Sequence, residues 1–199
     1  MASHAPVFRN MNDIRNHLQQ LFPGLRNSRW VINSPLDRSY QCIAWAACRV
    51  NIKWWPPGYP PDTYWPLAGL DDDSVDAFVA AFEMFGYTRC NDRTFKIGYQ
   101  KVAIYAYADR TATHMARQHL LGKGWLSKLG DFEDIIHPNL SDIEGSTDPN
   151  LYEYGEVAQI MQRSIWTALR KGCLFRSSVA AWRFRRYRTK YPHWCGRKI

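Results

Sequence analysis

The sequence predicts an α+β fold, and three observations carry that expectation. Helical periodicity is confined to residues 10–87, strand-like runs follow from residue 101, and short polar or Gly-containing turns separate those runs. The stretch "NMNDIRNHLQQLFPG" reads as a first helix with Asn12 as candidate N-cap. Ile14, Leu18 and Leu21 share one face, and Pro23-Gly24 stops it. "RWVINSP" is a short strand or an extended entry segment, and a second helix is expected from Cys42 to about Val50. The five prolines of "WWPPGYPPDTYWPLAG" forbid regular structure and predict a stiff aromatic loop. In "DDDSVDAFVAAFEMFGY" the acidic residues favour a helix N-terminus. Val75, Phe78, Val79, Phe82 and Phe85 share a face there, and Gly86 suits the C-terminal cap. "KVAIYAYA" (101–108), "THMARQHL" (113–120) and "GWLSKLG" (124–130) then read as an antiparallel meander, with "EVAQIMQR" (156–163) as a fourth strand.

A chain of 199 residues suits one domain, and no apolar run approaches the about eighteen residues of a membrane span. "MASHAPVFRN" lacks the charged-then-apolar order of a secretory signal. The expectation is a cytoplasmic protein, or one delivered or exported without such a signal, such as a toxin or effector. Five cysteines without a CxxC pair argue against a disulfide framework and for reduced thiols. The net charge of +8 is uneven: Val157 to Ile199 hold eleven Lys or Arg and no Asp or Glu. Residues 1–156 keep fifteen basic against eighteen acidic groups, so the chain divides into a body (1–156) and a last strand plus basic aromatic appendage (157–199).

Cys42 stands where a helix N-terminus would lower a thiol pKa and where backbone N–H groups can hold an oxyanion. A small core residue is the competing reading, since free cysteines are among the most buried residues. Of the histidines, His114 opens the 113–120 strand on the face shared by Ala116 and Gln118, while His119 points the other way. The order "YQCIAWA", "KVAIYAYA", "THMARQ", "GWLSKLG" resembles the papain-like cysteine peptidases and amidases of the NlpC and CHAP type. The pattern YxCxAWA…THxARQ…WxSKLG is also similar to that of a group of bacterial proteins.

The resemblance, over roughly residues 38–137, implies a papain-like fold with Cys42 as nucleophile and His114 as base, acting on a peptide, amide or ester. Deamidation and acyl transfer share this machinery. Ser127 on the next strand would be the orienting residue, a departure from the family's usual His, Asn, Asp or Glu. Asp131 or Asp134 is the alternative, and the Gln41 amide would assist the oxyanion hole. Trp54, Trp55, Tyr64 and Trp65 suggest a lid or a substrate groove. No HExxH, cysteine pair or glycine-rich phosphate loop occurs, so no metal or other cofactor is expected.

"WRFRRYRTKYPHWCGRK" interleaves Arg183, Arg185, Arg186, Arg188 and Lys190 with aromatics. That composition suits nucleic acid, an anionic surface or an acidic partner. The alternative is a solvated helix packing Trp166, Leu169, Leu174 and Trp182 on the body. The second functional class is therefore a non-catalytic module that binds through this tail.

Overall fold

The strand "YQKVAIYA" is apolar on both faces, which suits a strand covered by helices on either side. The computed structural model describes residues 10–56, 63–67, 72–145 and 154–170. In it this strand, β3 (Tyr99–Ala106), lies inside a seven-stranded antiparallel sheet. Its neighbours are β4 (Ala112–Gln118) and β7 (Glu156–Ser164). From β4 the meander continues through β5 (Trp125–Lys128) and β6 (Asp134–His137) to β1 (Val31–Ser34) at one edge. Beyond β7, β2 (Thr88–Cys90) forms the other edge. The chain is α+β, as expected. β2 and β6 are additions to the strands read from the sequence, and β7 pairs on both sides, so the last strand belongs to the body's sheet.

Helix α1 (Met11–Leu21) covers one face. Asn10 is its N-cap, two residues before the expected Asn12, because its side chain accepts from the backbone of Asn12 and Asp13 while Asp13 returns the bond. Ile14 and Leu18 pack there with Trp30, Ala103, Tyr105, Ala116, Ile135 and Ile160. The opposite face carries α2 (Cys42–Ala46) and α3 (Val75–Glu83), whose Ile43, Trp45, Phe78 and Phe82 meet Val102, Ile104, Met115, Leu126 and Met161. Alternation along each strand therefore decides which helix layer a side chain joins. Helix α2 ends four residues before the expected Val50, and α4 (Ile165–Arg170) follows β7 directly. Among the described residues no helix is long and apolar enough to cross a membrane.

Candidate functional site

Cys42 is the first residue of α2, and Gln41 holds the N-cap position without a side-chain cap bond. The cysteine is 5% exposed. Backbone N–H groups of Met115 and Ile43 point at its sulfur, and the Lys128 ammonium lies in electrostatic reach. All three favour the thiolate, but desolvation is larger, and burial pushes the thiol up to about 11.

His114 lies opposite Tyr105 in the β3–β4 ladder. Its ring stacks on Tyr154 with centroids 4.1 Å apart and meets Tyr105 edge-on at 5.4 Å. Tyr105 and Tyr154 belong to the cluster under α1, whereas Cys42 belongs to the cluster under α2 and α3. Both ring nitrogens are buried without a hydrogen-bond partner, and burial holds the imidazole well below its usual pKa. The expected Cys42–His114 pair is thus not assembled. Strand alternation is the reason: Met115, one residue on, is the side chain that β4 turns toward α2.

The remaining expected members are dispersed as well. Ser127 Oγ lies 2.9 Å from His137 Nε2, and His137 Nδ1 lies 2.7 Å from the Asn139 carbonyl. A carbonyl only accepts, so Nδ1 carries the proton and the Ser127 hydroxyl donates to Nε2. Ser127 therefore holds His137 rather than His114, and both members of that bond are fully buried. Asp131 is exposed and adds to the potential at Lys128 rather than at His114. The Gln41 side-chain carbonyl is buried without a partner.

Burial also lowers His137 to about 4. Between the unfolded value near 6.5 and this folded value, the unfolded chain binds the proton that the folded chain refuses. Stability is accordingly lost as pH falls from about 6.5 to 4. Compared with His137→Gln in urea titrations, the wild type should lose about 3 kcal/mol between pH 7 and pH 4. Asp134, raised to about 6, contributes the opposite slope, but it is common to both proteins and cancels.

Asp134, the other alternative for the orienting residue, belongs instead to a polar cluster on the α2 side. Asp134 is fully buried and accepts from Ser34 Oγ and, at 2.5 Å, from Tyr40 Oη. Buried Lys128 donates to the Phe132 carbonyl and lies 5.7 Å from the Tyr40 ring centroid. Arg117 lies 4.7 Å over the Trp45 ring and donates to Cys48 Sγ at 2.7 Å. Cys48 itself stands beyond the end of α2 with a φ of 62° and is disulfide-bonded. That corrects both its expected place inside the helix and the expectation of reduced thiols throughout; Cys42 and Cys90 are free. No group of three or more His, Cys, Asp or Glu suited to a metal ion occurs among the described residues.

The described aromatics of the loop, Trp54, Trp55, Tyr64 and Trp65, have different surroundings. Trp54 is buried against Phe82 and Phe85, and Trp65 packs on Phe78. Trp54 and Tyr64 line a cavity of about 250 Å³ with Arg49, Asn51, Ile52 and Phe85. Trp55 lines a second cavity, of about 330 Å³, with Asp73, Tyr107, Thr111 and Tyr154 among its walls. Neither is lined by Cys42 or His114. Arg183, Arg185, Arg186, Arg188 and Lys190 lie outside the described residues. Trp166, expected to pack on the body, is 75% exposed at the start of α4.

No curated protein and no solved structure matches the chain. Residues 31–162, from β1 through all but the end of β7, match the family described as a domain of unknown function, DUF7689, and the chain belongs to that family.

Proposed function

We propose that the chain is a non-catalytic binding module that engages a polyanion through its cationic C-terminal segment, with the sheet and its helices as scaffold. The charge distribution carries this reading. Residues 1–170 hold seventeen basic and eighteen acidic groups and are nearly neutral, whereas residues 171–199 hold nine basic groups and no acidic one. Arginines alternating with Trp182, Phe184 and Tyr187 combine phosphate neutralisation with stacking. Exposed Trp166 places one more aromatic ring at the root of that segment.

Thiol hydrolysis, with the papain-like arrangement that the motif order suggested, is the weaker reading. It keeps only the position of a free cysteine at the head of a helix and the order of helices before an antiparallel sheet.

The test uses the full chain and three labelled polyanions: a heparin oligosaccharide, a 12-base-pair DNA duplex and a 12-residue oligothymidylate. Fluorescence anisotropy should show binding that weakens by about 10³-fold or more between about 50 and 200 mM salt, if six or more charges are neutralised. Changing Arg183, Arg185, Arg186, Arg188 and Lys190 together to Gln should cost about a hundredfold in affinity and flatten the salt dependence. The reading fails if none of the three is bound, or if the five-site variant binds as the wild type does.

A further inference from the structure

We propose that the cavity between α2 and the end of α3 is a nucleobase pocket, which makes the polyanion a single-stranded nucleic acid. This inference rests on the polyanion reading and narrows it.

The cavity, about 250 Å³, is lined by Arg49, Asn51, Ile52, Trp54, Tyr64 and Phe85. Its apolar part is built from rings held in place. Trp54 is 2% exposed and sits at 5.2 Å from the rings of both Tyr64 and Phe85. Tyr64, which is 43% exposed, is fixed through its backbone: its N–H donates to the Lys53 carbonyl and its carbonyl accepts from Trp55. A flat aromatic guest thus meets a ring that is already placed and accessible.

The polar part selects an anion. Among the described residues no carboxylate lines the cavity and Arg49 makes no ion pair. Arg49 offers a fork of donors suited to a phosphate, and the Asn51 amide offers both a donor and an acceptor to a base edge. A planar, hydrogen-bonding group attached to a phosphate satisfies all of these features together. A base already paired inside a duplex has no free face to give, and heparin has no base at all.

Position joins this cavity to the cationic segment. The chain next to the cavity's lining meets β7 and α4, the last described helix. The Phe85 carbonyl accepts from Arg163 at 3.1 Å, just before α4, and Gly86 closes on the Thr167 side chain. On the other side Cys48, next to Arg49, packs on Ala168. In the sequence the run of cations begins at Lys171, directly after α4.

The experiment compares the same three polyanions on the full chain and on Tyr64→Ala, Tyr64→Phe and Arg49→Ala, with circular dichroism as the check on folding. Oligothymidylate should bind, and its affinity alone should depend on the pocket, since the higher charge density of duplex and heparin raises their affinity without stacking. Tyr64→Ala should weaken oligothymidylate by about fivefold to a hundredfold and leave heparin unchanged, while Tyr64→Phe, which keeps the ring, should bind as wild type. Arg49→Ala should weaken oligothymidylate and lower its salt slope by about 0.7, one phosphate contact. The pocket is overturned, with the polyanion reading intact, if Tyr64→Ala weakens heparin or duplex as much as oligothymidylate, or if Tyr64→Ala and Arg49→Ala are both silent. If no polyanion binds at all, both fall together.

Discussion

At pH 7.5, iodoacetamide is expected to label Cys90 at least about a hundredfold faster than Cys42, as read by a mass-spectrometric time course on the two peptides. Only the thiolate attacks, and with a pKa of about 11 Cys42 carries it in about one molecule in three thousand at that pH. Access compounds the effect. Cys42 is 5% exposed at the start of α2, whereas Cys90 is half-buried in the edge strand β2. Met115 and Ile43 N–H groups and the Lys128 charge all pull the thiol downward, so the outcome measures whether desolvation exceeds them together. In the same preparation Cys42→Ala should leave polyanion binding unchanged. The reverse order of labelling would mean that the thiol is exposed and activated, and would restore hydrolysis as the leading reading.

Asp134→Ala should lower stability by about 3–5 kcal/mol, the usual cost of stripping one partner from a buried charged group. The carboxylate takes hydrogen bonds from Ser34 and Tyr40, and its removal orphans both hydroxyls in a fully buried site. It also removes one of the negative charges that favour the charged forms of Lys128 and Arg117, both buried. Asp134→Asn keeps an acceptor and loses the charge, so it should fall between the two. Adding Lys128→Met to Asp134→Ala should recover part of the loss, because the cation no longer needs a counter-charge. Urea denaturation of the four proteins reads all of this directly. If the single alanine variant costs under about 1 kcal/mol, water reaches the cluster and the buried description is wrong.

Long apolar runs were legible. The "KVAIYAYA", "THMARQHL" and "EVAQIMQR" segments overlap β3, β4 and β7 to within two residues at each end because neighbours on both sides reward β-forming side chains regardless of detail. The strand β6 was not, since "DFEDIIH" reads as a charged loop while Asp134 and His137 are in fact fully buried. Their burial depends on Ser34, Tyr40 and Ser127, partners brought together by pairing of strands distant in sequence. The candidate site failed for a different reason. Alternation correctly grouped His114 with Ala116 and set Met115 with Arg117 on the other side. It does not say which group looks toward the helix that carries Cys42. That choice is made by how α1 and α2 distribute over the sheet, and no local signal encodes it. Cys48 shows the same limit, because the alanine-rich run suggested a helix through it to about Val50, whereas α2 ends at Ala46 and the bonding of Cys48 and its Arg117 contact arise beyond that end.

Met115 on the α2 side of β4 has a consequence for redesign. A transposition of two adjacent letters, His114→Met with Met115→His, would bring an imidazole into the company of a sulfur while conserving length and composition. Scaffold and side-chain placement are separable to that degree in this sheet: the parity of one residue on β4 decides which ring shares a layer with Cys42.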